Sequence, residues 1–161
     1  MRVLLMRHGE AIDARTAGSD HDRWLTAEGR KTVTGVGKTL SELGLEFCRV
    51  YTSPLVRAVQ TAEILAATQS RFWGPLEVHP PLSTERGTTA QALAPLDRAE
   101  PDELIVLVGH EPKISNLARY LTQNAQVPPF HTSSSCLLQI DAGRGRLQWV
   151  LHPHTLELIR G

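Results

Sequence analysis

Neither sign of charge prevails in this chain. Seventeen Lys and Arg balance seventeen Asp and Glu, for a formal net charge of zero. Without a basic surplus, neither nucleic acid nor an anionic membrane is an expected partner. Long apolar runs are missing as well. None approaches the ~20 residues of a membrane span. The N-terminal run is too short, and lacks a processing site, for a signal peptide. Cysteine is scarce: Cys48 and Cys136 lie far apart, each in an apolar run. They read as buried thiols in a reducing cytoplasm, not as a disulfide or metal pair. There is no Walker loop, dinucleotide glycine fingerprint, internal repeat or low-complexity tract. Asp20-His21-Asp22 and His152-Pro153-His154 have no matching ligands at metal-site spacing and read as solvated loop and turn. These absences leave a cytoplasmic protein with no cofactor and no metal. At 161 residues, 41% apolar and 21% charged, it is expected to form one domain over 1–161 with a real core.

What is present is organised around the first nine residues. Residues 3–6 are uninterrupted apolar chain, as a central strand requires. They end at Arg7-His8-Gly9-Glu10. The carboxyl end of a strand is where ligands bind in open α/β sheets. Arg7 offers a planar fork for phosphate or carboxylate. His8 offers a nucleophilic nitrogen or a general base. Gly9 allows close approach of a ligand or a turn with positive φ.

Residues 10–25 read as a loop. Thr26 caps a helix with Val33, Val36, Leu40 and Leu43 on its buried face, and Gly44 stops it. Gly35 and Gly37 are expected to pack against the sheet. A strand at 48–51 runs into Thr52-Ser53-Pro54, where Ser53 is placed to cap a helix and Pro54 to occupy its first position. Leu55, Val59 and Ala62 form that helix's stripe. Arg57 lies about one turn in, where a cation opposes the helix dipole unless an anion accompanies it.

A short strand at 76–79 leads to the loop containing Glu85, then a short helix capped by Thr88 or Thr89 and running to about Leu96. The strongest strand, 104–108, ends in Gly109-His110-Glu111-Pro112, the logic of the first motif again. The following helix carries Ile114, Leu117 and Leu121, and its N-terminus is expected to aim free N–H groups at the same region. His131-Thr132-Ser133-Ser134-Ser135 is a polar turn or a donor-rich lip on the site. Strands 136–141 and 147–152 form an antiparallel hairpin joined by residues 142–146.

Two arginines and two histidines at neighbouring strand ends suit a phosphoryl dianion. The arginines neutralise equatorial oxygens and disfavour protonation of the imidazoles, leaving one free to act as nucleophile.

Arg7-His8-Gly9-Glu10, Thr52-Ser53-Pro54, Arg57-Ala58, Gln60-Thr61-Ala62 and Gly109-His110, in that order, resemble the histidine phosphatase superfamily, which includes the phosphoglycerate mutases. Arg23-Trp24-Leu25-Thr26 with Gly29, and the C-terminal stretches 130–141 and 149–153, resemble the SixA-type phosphohistidine phosphatases. The resemblance implies a three-layer α/β/α fold with a mostly parallel sheet and an antiparallel C-terminal hairpin. It implies that His8 is phosphorylated in turnover and that Arg7, Arg57 and His110 hold the phosphoryl group, without a metal. Arg23 is a candidate extension of the phosphate site, and Gly9 and Glu85 are candidate substrate contacts. Glu85 is also the candidate proton donor. The implied substrate is phosphohistidine on a histidine-containing phosphotransfer protein in signalling, with phosphate and other oxyanions as inhibitors. The competing readings are a small-molecule phosphomonoesterase of the same superfamily and a non-catalytic phosphate-binding module.

Overall fold

In chain order the elements are β1 (Arg2–Arg7), α1 (Ala14–Ala17), α2 (Ala27–Glu42), β2 (Arg49–Thr52), α3 (Val56–Thr68), β3 (Leu76–Val78), α4 (Thr89–Leu93), β4 (Leu104–Gly109), α5 (Lys113–Thr122), β5 (Ser135–Asp141), β6 (Arg144–Leu151) and β7 (Leu158–Arg160). The computed structural model describes residues 1–124 and 127–161. The strands make one sheet in the order β3-β2-β4-β1-β5-β6-β7. β1, β2, β3 and β4 are mutually parallel, and β5, β6 and β7 continue the sheet antiparallel.

The two central strands explain the layers. Successive side chains of a strand point to opposite faces. Val3 and Leu5 of β1, with Ile105 and Leu107 of β4, face one way and pack with Leu93 of α4 and Ile114, Leu117 and Leu121 of α5. Leu4 and Met6, with Val106 and Val108, face the other way onto Val33, Val36 and Leu40 of α2 and Ala58, Ala62 and Leu65 of α3. Both faces are covered, so both strands read as continuous apolar runs. This is the expected α/β/α arrangement.

Several local expectations change. Thr26 does cap α2, accepting the Gly29 N–H at 2.9 Å, but Leu43 is exposed beyond the helix end. Gly35 faces open space, and Gly37 packs on Thr68 of α3 instead of on the sheet. Ser53 does not cap α3. The helix starts at Val56, with Leu55 at the cap position and no side-chain cap bond. The buried stripe of α3 is therefore Arg57, Ala58, Thr61, Ala62 and Leu65, with Val59 only half-buried. The loop at 10–25 contains α1, capped by Asp13, and a β-bridge between Ala11 and Leu25.

The C-terminal hairpin turns on two residues, Ala142 and Gly143, at φ 49° and 75°. Positive φ at both positions matches the twist of the flanking strands, so β6 starts at Arg144, earlier than expected. β7 was not foreseen. It is three residues long and lies at the sheet edge. Cys136 is fully buried, and burial pushes its thiol up to about 12. Cys48 is only half-buried. No helix among the described residues is long and apolar enough to cross a membrane.

Candidate active site

β1 and β4 lie side by side with Arg7 opposite Gly109. The chain therefore leaves the sheet at His8 and at His110 together, and the two rings stand 4.9 Å apart between centroids. The backbone fixes this exit: the His8 N–H donates to the Gly109 carbonyl at 3.0 Å, and the His8 carbonyl accepts from the Ser133 N–H at 3.0 Å. Arg7, Arg23 and Arg57 join the histidines around a cleft of about 330 Å³. Sequence reasoning named all five of these side chains, and the fold brings them together.

The tautomer of His8 follows from its partner. Nδ1 lies 2.7 Å from the Gly9 carbonyl oxygen, which can only accept. Nδ1 therefore carries the proton, and Nε2 keeps its lone pair. Arg57 Nε donates towards that lone pair at 3.3 Å. Burial first, and then the charges of Arg57, Arg7 and Arg23, lower the His8 pKa to about 4 against the pull of the Gly9 hydrogen bond. His110 is lowered to about 3, by burial first and then by His8 and Arg57. Both rings are neutral at physiological pH, and His8 presents a free lone pair at Nε2.

This has a consequence for stability. Both histidines titrate lower in the folded chain than in the unfolded one, where the usual value is about 6.5. Between pH 6.5 and 4 the unfolded chain takes up protons that the folded chain refuses, so stability falls as pH falls through that window. Each group contributes a slope of up to about 1.4 kcal/mol per pH unit. Thermal unfolding midpoints are expected to decline from pH 7 to pH 4.5, and less steeply in the His8→Gln, His110→Gln double variant. Equal slopes in the two proteins would contradict the neutral-ring assignment.

Arg57 is almost completely buried, at 4% exposure. Its burial lowers its pKa, and Asp20 works against that effect. Nη1 donates to the Asp20 backbone carbonyl at 2.7 Å, and Nη2 lies 3.2 Å from the Asp20 carboxylate. Arg23 reaches the other Asp20 oxygen at 3.0 Å and donates from Nε to the Ile12 carbonyl. Asp20 is thus the anion that the placement of Arg57 called for, and it ties two of the cleft's arginines together. The sequence alone reads Asp20 as part of a solvated loop. Arg7 donates from Nη1 to the Phe130 carbonyl at 2.7 Å, while its buried Nε has no partner among the described residues.

Other residues of the cleft carried weaker sequence signals. Thr84, Glu10, Glu111 and Thr132 also line it. Thr132 and Ser133 belong to the polar turn, so that segment is both turn and lip. At the α5 N-terminus two of the N–H groups expected to be free have partners. The Ile114 N–H donates to the His110 carbonyl, and the Ser115 N–H to Glu111 Oε1 at 3.2 Å. Glu111 serves as the cap that a Pro112 at the cap position does not supply.

Gly9 acts differently from expectation. Its φ is not left-handed, and a β-carbon there would lie 2.7 Å from Val33 Cγ2. Its N–H donates to Thr61 Oγ1 at 3.0 Å. Gly9 thus lets the strand end pack against α2, and it does not line the cleft. Glu85 is exposed and lies in an adjoining groove of about 180 Å³ that shares Thr84 and leads past Ser83 and Arg86. The loop bearing it is fastened by Lys113, whose ammonium donates to the carbonyls of Pro81, Arg86 and Gly87.

The two candidate metal tracts have other partners. Asp22 Oδ2 accepts from the Ser19 hydroxyl at 2.6 Å. His152 Nδ1 accepts the backbone N–H groups of His154 and Thr155.

A strand-end pair of neutral histidines flanked by arginines suits a phosphoryl group, and comparison with known proteins shows the family. The sequence profile of the histidine phosphatase superfamily (branch 1) matches residues 3–88. An uncharacterized protein of Picosynechococcus sp. is 36% identical over 153 residues, 92% of this chain and 89% of that protein. The chain belongs to the histidine phosphatase superfamily. The solved structure of the protein histidine phosphatase SixA complexed with tungstate superposes with a TM-score of 0.87 at 29% identity, covering 98% of this chain and 100% of SixA. A phosphoserine phosphatase of Entamoeba histolytica, solved with phosphoserine, shares the fold at 17% identity and a TM-score of 0.71, over 97% of this chain and 99% of its own.

Proposed function

We propose that this chain is a phosphatase that works through a phosphohistidine on His8, and that its substrate is phosphohistidine on a histidine-containing phosphotransfer protein. The family and the SixA neighbour support the phosphatase reading. His8 Nε2 attacks phosphorus in line, and the bond from phosphorus to the substrate nitrogen breaks. The leaving imidazole departs with its proton supplied from solvent or already in place. Arg7 and Arg57 hold the equatorial oxygens and stabilise the charge that builds there. Water then attacks the phosphoenzyme, returning His8 and releasing inorganic phosphate. The arginines supply the charge stabilisation, so the scheme calls for no metal. A chelator is expected to leave the rate unchanged.

The observation that carries the choice of substrate is the state of the carboxylates. Of the two that line the cleft, Glu10 accepts from the Thr26 hydroxyl at 2.7 Å, and Glu111 accepts from Ser115. Glu85 stands in the neighbouring groove. An alkoxide leaving group needs a positioned acid, whereas the imidazole of a phosphoramidate leaves without one. One observation favours a small-molecule phosphomonoesterase instead: Thr84 lines both the cleft and the groove that holds Glu85, so a leaving group lying across Thr84 would meet that carboxylate.

Glu85→Gln separates the readings. On a phosphohistidine protein the variant is expected to match the native chain, with both weak on alkyl phosphates. A metabolite esterase would instead lose about 10²–10⁴-fold on its best ester, the usual worth of general acid catalysis. Aryl phosphates, whose leaving groups need no acid, are the control. A strong defect that grows as the leaving group worsens would overturn the phosphohistidine reading and leave the superfamily assignment in place.

A further inference from the structure

Ser53 follows β2 and is fully buried, as is His110 to within 2% of its surface. Its Oγ lies 2.7 Å from His110 Nε2. The same oxygen accepts the Leu55 N–H at 3.3 Å. A serine hydroxyl has two lone pairs and one proton. With a backbone donor on one lone pair, its proton is free to point at His110 Nε2. A neutral imidazole that accepts at Nε2 carries its own proton on Nδ1. That nitrogen is buried and has no partner among the described residues, although His110 lines the cleft. A buried N–H is rarely left without an acceptor, so the acceptor is expected to arrive with the ligand.

We propose that Ser53 is a positioning residue that fixes His110 as the Nδ1–H tautomer, so that the ring meets an incoming phosphoryl oxygen with a donor and not with a lone pair. The proposal rests on the reading of the cleft as a phosphoryl site. The opposite tautomer would set a nitrogen lone pair against an anion. Protonation does not remove the need for the lock, because His110 stays neutral well below physiological pH in its buried setting beside Arg57 and Arg7. Charge is supplied by the arginines, and direction by the tautomer. Ser53 thereby links β2 to the ends of β1 and β4: the strand that contributes no group to the chemistry sets the orientation of one that does.

The test is the position of the proton. In ¹⁵N-histidine-labelled protein without ligand, two-bond ¹H–¹⁵N correlations are expected to show His110 protonated at Nδ1 and bare at Nε2. The signals are identified by their loss in His110→Gln. Adding inorganic phosphate should shift the Nδ1 resonance. In Ser53→Ala the Nε2–H form should appear, and kcat/KM should drop on the order of tenfold, the worth of one hydrogen bond. Ser53→Thr, which keeps the hydroxyl, should restore both. A native His110 carrying its proton on Nε2 overturns the proposal whether or not the variants fold. So does a Ser53→Ala protein with unchanged tautomer and full activity. An Nδ1–H native ring that ignores phosphate would instead overturn the phosphoryl reading of the cleft, which keeps the two failures apart.

Discussion

His8→Ala is expected to fold and to lose turnover on the order of 10⁴-fold or more, as removal of a covalent nucleophile does. The magnitude follows from the geometry. His8 Nε2 is the lone pair presented to the cleft, with its proton parked on Nδ1 against the Gly9 carbonyl. His110 cannot substitute, because its Nε2 is engaged by Ser53. Folding survives because the contacts that fix the strand end are backbone contacts, from His8 N–H to Gly109 and from Ser133 N–H to His8. The direct check is acid-quenched native enzyme given labelled substrate, which should carry acid-labile phosphate on His8. Label on His110, or an active alanine variant, would refute the assignment. A native chain that binds phosphate tightly and never acquires label would indicate a binding module.

Arg57→Lys keeps one positive charge and should still cost on the order of 10²-fold or more in kcat/KM, because the planar fork is lost. Arg57 directs Nε at His8, Nη1 at the Asp20 carbonyl and Nη2 at the Asp20 carboxylate. An ammonium has no rigid fork with which to hold all three directions. Steady-state kinetics beside a thermal unfolding curve decides the matter. A variant that is less stable yet turns over normally would make Arg57 a structural residue.

The strands bearing His8 and His110 were legible because each is covered on both faces and so leaves an unbroken apolar run. The family motifs were legible because chemistry restricts the residue types at those strand ends. Ser53 was misread. Serine before proline at a helix start is the usual cap signature, but here the hydroxyl is spent across the sheet on a histidine distant in sequence. Asp20 was missed for the same reason. Its partners are Arg57 and Arg23, and a loop carboxylate carries no periodic signal of a tertiary contact. The stripe of α3 slipped by about one position because Arg57 and Thr61, both polar, face inward to serve the site. Gly9 was assigned to the ligand when it serves helix packing, a distinction that only the neighbouring Val33 and Leu25 reveal. β7, three residues at an edge, is too short to show an alternation.

The central position of β1 means that His8 and its surroundings are assembled at different times. His8 is held by Gly109 and by Ser133, both far downstream, and β1 is flanked by β4 and β5 rather than by its neighbours in sequence. Pairings across such separations form late, because closing long loops costs chain entropy before any contact repays it. A nascent chain on the ribosome therefore carries His8 for most of its synthesis with no cleft around it. A fragment spanning only residues 3–88, the stretch the family profile recognises, holds His8 without His110. Under the proposed function, competence for phosphoryl transfer is expected only once the sheet has closed, so turnover would report completed folding.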